Sequence, residues 1–470
     1  VGTDFSVISQ NSTVRAIVQG GLLERAFHNG LFPRLMFRGE AVPQEWTHNV
    51  GDSMTFTGEG LLTPDASPLV PGQDPDVASA TFEQWTAQVQ QYGKPAIDTA
   101  MPNTMVAIAE LFMSNARRLG LVAGQAINRL VRDKMYNAAE SGTTNVDGAF
   151  TSVSTIRVKR LNGLTRARNP TSTAAGASTV SFSPVSSGNP LAVTIFDNGA
   201  PANFNIIAFL ADNPGDELGP GTITLATSVT NVATGAWVHT IDRSDITFVG
   251  GGNSVRDITA TNIPSFTDVR SALTNLQNNN VPVHPDGRYH AHMSPTSQAR
   301  LYDTPEWQRL NTALPDFYYY RQYTLGEFLG VMFYNDTECP QTTTVVGGST
   351  ATFDLRDPFA PELWNTGATT GIPLQRIIIT GQGGIMEYHM DQSALITEAG
   401  LNGKTGAFSI TNNGIEVLTE RISLIIRAPI DRLQQIVSMA WSLFADWVVR
   451  TDAATGDAAR YKRFATICHA

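Results

Sequence analysis

The chain has 470 residues, 42% hydrophobic and 16% charged, which is the balance of an ordinary globular protein with room for two or three domains. A formal charge of −10 with no run of like charges argues against a dedicated nucleic-acid binder, which would neutralise phosphates with clustered Lys and Arg. Two cysteines, Cys339 and Cys468, exclude a disulfide framework, and VGTDFSVISQ has neither the basic nor the apolar part of a signal peptide, so a soluble, non-secreted chain is expected.

The first distinctive stretch is TPDASPLVPGQDPD, residues 63 to 76, with four prolines and three aspartates. Fixed proline φ angles and missing N–H donors keep it out of helix and out of central sheet. Before it, Met54 and Phe56 alternate with Ser53, Thr55 and Thr57. After it, Trp85, Ala87 and Val89 alternate with Thr86, Gln88 and Gln90. This period of two predicts a long hairpin with a stiff tip, too poor in apolar residues to bury a core of its own.

Directly afterwards, Ile108, Phe112, Ala116, Leu119, Ala123, Ile127, Leu130 and Met135 keep helical spacing. The pattern predicts one long helix from Asn103 or Thr104 to the stop at Gly142, with a bend near Gly120 and Gly124. Between Thr171 and Val255 the character changes: seven charged residues, six of them acidic, and no lysine. LAVTIFDNG, FNIIAFLAD, GTITLATSV, GAWVHTID and SDITFVGGG read as strands separated by Gly, Pro and Asn turns, which predicts a separate sandwich-like β domain. Just before it lie Arg157, Lys159, Arg160, Arg166 and Arg168 without an intervening acid, a solvated or ion-paired face.

Ser265 and Asp268 have capping-box spacing ahead of a further helix. RYHAHMSP, LGVMFYND, LQRIIITGQGG, ISLIIRAPI and VSMAWSLFADWVV are strand candidates, although the last fits a helix nearly as well. That run is the most apolar late segment, too short to span a bilayer and interrupted by Asp446, so no membrane partner is expected. The class is α+β, without a βαβ rhythm.

Chemical motifs are sparse. GLNGKTG, residues 400 to 406, resembles a phosphate loop, but Glu398 stands where the first glycine belongs and no helix pattern follows, so a hairpin turn is expected. His290 and His292, with His284 nearby, have the spacing of two metal ligands on one strand face, yet the sequence places no third. Catalytic, metal and cofactor sites are therefore each expected to be none, and the chain is expected not to be an enzyme.

The run LTPDASPLVPGQDPD leading to VQQYGKPAIDT resembles a segment of the major capsid proteins of tailed phages, of the Hong Kong 97-type fold, and among them the N-four-type coat proteins most. Pro68, Leu69, Gly72, Pro75, Tyr92 and Gly93 carry it. YHAHMSPTSQARLYDTPEWQRL and LGEFLGVMFYND resemble later segments of that family through Tyr289, Pro295, Leu301, Asp303, Trp307, Gly326, Glu327, Gly330 and Phe333. Ser294-Pro295 stands in place of the family's usual His-Pro. The resemblance covers roughly residues 20 to 145 and 260 to 470.

The resemblance implies an N-terminal arm at 1–40, an extended-loop hairpin at 41–100, and a peripheral domain with its spine helix at 101–150. A β-rich insertion at 151–262, a mainly axial domain at 263–420 and C-terminal strands at 421–470 would follow. It implies a coat protein that assembles into the icosahedral head shell of a bacteriophage around double-stranded DNA, made in the bacterial host cytoplasm and residing in the virion. Implied partners are further copies in hexamers and pentamers, scaffolding and portal proteins, a decoration or cement protein, and DNA without sequence-specific binding. Pro64, Pro68, Leu69, Pro71, Gly72, Pro75, Trp85 and Tyr92 would form inter-subunit contacts, and the basic stretch from Arg157 to Arg168 would pair with an acidic neighbour. A tail or receptor- or carbohydrate-binding protein using the β insertion is the alternative. Some relatives weld subunits through a lysine on the extended loop. Here the lysines are Lys94, Lys134, Lys159, Lys404 and Lys462, none within 41–93, so a non-covalent shell is expected.

Overall fold

The computed structural model describes residues 22–31, 35–45, 53–59, 68, 72, 82–100, 108–168, 182–196, 201–213, 219–234, 236–241, 246–251, 258–313, 325–339, 374–389, 407–410, 422–427, 436–449 and 463–470. Helix α1 (Leu22–Leu31) and a 3-10 turn (Phe37–Glu40) lead to β1 (Ala41–Glu45), β2 (Ser53–Glu59), β3 (Phe82–Gln88), β4 (Gln90–Tyr92) and β5 (Ile97–Ala100). The long helix α2 (Ile108–Ala139) is followed by β6 (Thr143–Asn145), β7 (Phe150–Val158), β8 (Arg166–Arg168), β9 (Phe182–Pro184) and β10 (Leu191–Phe196). Then come β11 (Ala202–Ala211), β12 (Gly221–Val232), β13 (Trp237–Thr240) and β14 (Ile246–Phe248). Helix α3 (Phe266–Asn278), β15 (Tyr289–Met293), α4 (Pro295–Tyr302) and α5 (Pro305–Ala313) precede β16 (Glu327–Phe328) and β17 (Val331–Asn335). The last strands are β18 (Gln375–Thr380), β19 (Ile385–His389), β20 (Ala407–Ile410), β21 (Ser423–Arg427), β22 (Ile436–Val449) and β23 (Phe464–His469). The class is α+β, and no helix among the described residues is long and apolar enough to cross a membrane.

The chain divides into two compact units. The first comprises Val1–Phe56, Thr86–Lys134 and Ile385–Val448. Its sheet runs β1-β19-β22-β21-β20, and β4 and β5 also pair with β22. β22 is a strand, which settles the helix-or-strand ambiguity of its sequence. Met439, Trp441, Leu443, Ala445 and Trp447 are all buried, and β21 lies antiparallel with Ser423 opposite Ser442. β1 is parallel to β19, and that register is pinned by a buried ion pair in which Arg38 Nε donates to Glu387 Oε2 at 2.8 Å and Nη2 donates to Oε1. Trp447 Nε1–H also donates to Glu387 Oε2, at 3.1 Å, so the buried carboxylate is held from two sides.

Helix α2 runs without interruption through Gly120 and Gly124. Gly120 makes a close contact: a Cβ on it would stand 2.1 Å from the carbonyl oxygen of Phe27, and one on Gly30 would stand 2.3 Å from that of Arg117. α1 and α2 therefore cross backbone to backbone, and glycine is required there for approach. At 1.5 Å per residue α2 is roughly 48 Å long. Ala116, Leu119, Ala123 and Ile127 form its buried stripe as the periodicity predicts, and Val131 continues it in place of Leu130, which is half-buried.

The second unit comprises Thr57–Trp85, Met135–Gly384 and Val449–Ala470. One of its parts is the six-stranded antiparallel sheet β6-β13-β10-β11-β12-β7. Its two end strands meet. Asp147 N–H donates to the Arg157 carbonyl at 2.8 Å, Lys159 N–H donates to the Asn145 carbonyl at 2.9 Å, and Val146 bridges Val158. The sheet is thus a closed barrel, and the sandwich-like expectation is corrected. Ile156, Val158, Val193, Ile206, Ile223 and Val238 fill the interior, and Leu161, Leu164, Ala167 and Val185 from the β8–β9 ribbon and its approach belong to the same core. The barrel spans Thr143 to Thr240, starting before the expected boundary at 151, while β14 leaves it for the other sheet.

That other sheet has the order β14-β23-β18-β15-β17-β16, with helices α3, α4 and α5 in its core cluster through Phe266, Leu301 and Trp307. The capping box at the start of α3 forms as its spacing predicts: the Asp268 carboxylate accepts from the Ser265 N–H at 2.8 Å. Phe196 and Trp237 at one end of the barrel pack with Ile246, Ile258, Leu374 and Cys468, joining barrel and sheet within the unit. A buried pair between Arg376 Nε and Glu140 Oε1 at 2.7 Å ties β18 to the end of α2.

Candidate functional site: the hairpin and its base

β2 and β3 form a two-stranded sheet and, among the described residues, pair with no other strand. An isolated hairpin is at best marginally stable in water, and its outer edges present a row of backbone donors and acceptors. Of the expected contact residues at the tip, Pro68 and Gly72 are described. Both are exposed, and Gly72 has φ +90°, a turn conformation that suits glycine. Pro64, Leu69, Pro71 and Pro75 lie outside the described residues. Trp85 lies in β3, at a position whose side chain is outside them.

Tyr92 is brought elsewhere. It belongs to β4, opposite Leu443 of β22, with its ring centroid 5.7 Å from that of Trp447. Burial, reinforced by the Asp446 carboxylate, raises its phenol above the ordinary tyrosine range. This is packing within the chain, and a contact of the half-buried Tyr92 with a second copy is a proposal. Gly93 beside it has its own reason, since a Cβ there would stand 2.7 Å from the Trp441 carbonyl oxygen.

The base of the hairpin is a small apolar wedge. Ala87, fully buried, sits with Tyr388, Met54, Val89, Met386 and Val448. Here the structure reveals a residue that sequence reasoning passed over. Asp446 Oδ2 accepts the Gln88 backbone N–H at 2.9 Å, Oδ1 accepts the Trp447 N–H at 2.9 Å, and Lys134 Nζ stands 3.6 Å from Oδ1. The only signal available was a lone charged residue in an otherwise apolar and neutral strand.

The basic stretch is largely committed within its own chain. Arg157 Nη2 donates to Asp212 at 2.7 Å and its Nε to Asp147 at 3.1 Å, while Arg160 donates to Asn137 Oδ1 at 2.7 Å and to the Thr143 carbonyl at 3.2 Å. Lys159 lends its backbone N–H to barrel closure. Arg166 and Arg168 lie in β8 against β9, with Arg166 exposed and the side chain of Arg168 outside the described residues. These are the partners of Arg157 and Arg160 within the chain, and pairing of the stretch with an acidic neighbour is a proposal.

The histidines form a stack. The rings of His284 and His290 lie 4.0 Å apart and within 3° of parallel, and His290 Nε2 meets Asp286 Oδ2 at 3.0 Å. A ligand nitrogen of His284 and one of His290 lie within 4.8 Å of each other, a spacing that one ion could bridge. His292 is buried and stacks on Tyr334 at 5.4 Å. The GLNGKTG turn lies outside the described residues.

The chain matches no protein-family model and no curated protein in sequence. Among solved structures it is similar to the capsid of Ralstonia phage GP4, at 14% identity and TM-score 0.44, covering 92% of this chain and 87% of that one. It is also similar to the capsid asymmetric unit of cyanophage Pam1, at 11% identity and TM-score 0.45, covering 94% and 92%. The capsid structure of cyanophage P-SCSP1u follows with 12% identity, TM-score 0.40, and coverage of 92% and 86%. Superposition at this level carries no argument of its own about this chain.

Proposed function

We propose that the chain is the major coat protein of a tailed bacteriophage, a structural, non-catalytic subunit that assembles into an icosahedral shell around double-stranded DNA. The observation that carries this reading is the β2–β3 hairpin, a two-stranded sheet that pairs with no other strand among the described residues and has a proline-rich tip. Laid over a second copy, it gains ladder partners and buried area, and the prolines lower the entropy lost on docking. The motif resemblance around Pro68, Gly72, Tyr289 and Trp307 supports the same reading, as does the order of arm, hairpin, long helix, β-rich insertion and C-terminal strands. A net charge of −10 fits a lining along which DNA slides without being gripped. Scaffolding, portal and cement proteins are the partners that such a shell requires, and the virion is its place.

The test is sedimentation and negative-stain microscopy of the purified full chain, alone and co-expressed with its neighbouring genes. Hexamers, pentamers or closed particles are expected. A protein that stays monomeric under both conditions at high concentration overturns the proposal, and a discrete trimer points to a tail component. Since no lysine lies within residues 41 to 93, particles boiled in detergent are expected to run as one band near 50.7 kDa.

A further inference from the structure

β4 runs antiparallel to β22 through Tyr92↔Leu443, Gln91↔Phe444 and Gln90↔Ala445. Continued by two residues, this ladder would carry Gln88 along β22. It stops instead, and the Gln88 N–H donates to a side chain, the Asp446 carboxylate, at 2.9 Å. We propose that Asp446 is the hinge clamp of the hairpin: it fixes the point at which β3 leaves the seven-stranded sheet and ties that point to helix α2.

The physical case has three parts. A backbone ladder bond would commit β3 to the direction of β22, whereas a carboxylate on a side chain satisfies the same donor while letting the strand turn away. The clamp is charge-assisted and shielded: Asp446 is 8% exposed, and its second oxygen is held by the Trp447 N–H at 2.9 Å. Its base is immobile, because Trp441, Leu443, Ala445 and Trp447 on the same strand are buried. Lys134 of α2, 3.6 Å from Oδ1, supplies the countercharge, so a shift of the long helix acts on the carboxylate that holds the hairpin. Ala87, locked between Tyr388, Met54, Val89, Met386 and Val448, makes the pivot apolar on its other side. The consequence for assembly, that the clamp sets how the hairpin lies over a second copy, rests on the coat-protein reading. The clamp itself does not.

The experiment uses the full-length chain before assembly. Amide hydrogen exchange across residues 82 to 92 and limited proteolysis of the hairpin are compared for wild type, Asp446→Ala, Asp446→Asn and Gln88→Pro. In Asp446→Ala the Gln88 amide should exchange at least tenfold faster and the hairpin should be cut sooner, with exchange in α2 unchanged. Asp446→Asn, which keeps an acceptor oxygen and loses the charge, should fall between, and Gln88→Pro, which removes the donor, should reproduce the faster cleavage. If Asp446→Ala loses protection throughout, the Asn and Pro variants decide. Wild-type exchange at Gln88 in Asp446→Asn together with wild-type cleavage in Gln88→Pro overturns the clamp. In assembled material, Asp446→Ala should broaden the distribution of particle diameters. Failure of the wild type to assemble, with the exchange result intact, sinks the coat-protein reading and leaves the clamp standing.

Discussion

The hairpin and the barrel are built from the same kind of chain, short alternating strands with few charges, and they treat their edges in opposite ways. The barrel joins β6 to β7 so that each strand has a partner on both sides, and its core of Val, Ile and Leu is enclosed. Among the described residues the outer edges of β2 and β3 have no strand partner, and an apolar cluster lies at the base of the hairpin. Closure makes a β structure self-sufficient, and an open edge makes it dependent on a further strand. The contrast separates a part of the chain with closed edges from a part that, under the coat-protein proposal, a second copy completes.

The sharpest way to break this comparison is to remove the hairpin tip. Replacing residues 63 to 76 with a short Gly-Ser turn should abolish closed particles, while the unfolding midpoint of the unassembled chain moves by no more than a few degrees. Normal particles from this variant would show that the open edges are incidental.

The converse operation is excision. A fragment of residues 140 to 241 contains all six barrel strands and should give a cooperative thermal transition with a β-type circular dichroism spectrum. A fragment of residues 171 to 255 lacks β6, β7 and β8 and should have no such transition. Two cooperative fragments would mean that closure is not what stabilises the barrel.

A smaller effect separates the barrel from the sheet beneath it. His469 of β23 is fully buried, with Nδ1–H facing the Ala470 carbonyl at 2.8 Å and Nε2 accepting from Ser297 Oγ at 2.8 Å. Burial pushes the imidazole down to about 4, with Arg300 also lowering it against the Ala470 carbonyl and Asp268. Because the folded value lies below the unfolded value of 6.5, the stabilisation is fully present above pH 6.5 and is lost as pH falls through 4. The loss is on the order of 3 kcal/mol. Urea unfolding of the wild type from pH 7 to pH 4 should therefore steepen in that window, and His469→Gln should flatten it. An isolated barrel fragment, which lacks His469, should not show this component.

The smallest effect concerns the barrel surface. Arg157 is 49% exposed where it meets Asp147 and Asp212, so Arg157→Ala should cost about 0.2–1 kcal/mol by chemical denaturation. A larger loss would show that closure at Asp147 and Arg157 depends on the ion pairs as well as on the backbone bonds.

What was legible in the sequence follows the range of the interactions. Strands β10, β13, β15, β17, β18 and β21 fall within segments whose alternation and turns are local, and β11, β12 and β22 overlap such segments and run beyond them. The α3 capping box is local too, and it formed as expected. Closure was not legible, because β6 is only TTN and, although it meets the nearby β7, its other neighbour β13 is set by long-range pairing, Asn145 with Trp237 for example. β14 has the composition of its predecessors and still joins another sheet, pairing with β23. At the site, the hairpin was visible and its clamp was not, since Asp446 and Gln88 are 358 residues apart. Gly120 read as a weak point in a helix, and only the crossing of α1 gives it another purpose.

The place of β23 has a consequence in time. It lies between β14 and β18, so the mixed sheet has a vacant middle until residues 464 to 469 have been made. The barrel is complete at Thr240, and β23 begins roughly 220 residues later, an interval of about 10–45 s at ribosomal speeds of ~5–20 residues per second. β14 waits through nearly all of that interval and β18 from residue 380 onward, each with the edge that β23 will take still open, while the finished barrel has none to offer them. A closed early domain thus takes its six strands out of the set of edges with which the unfinished sheet could pair.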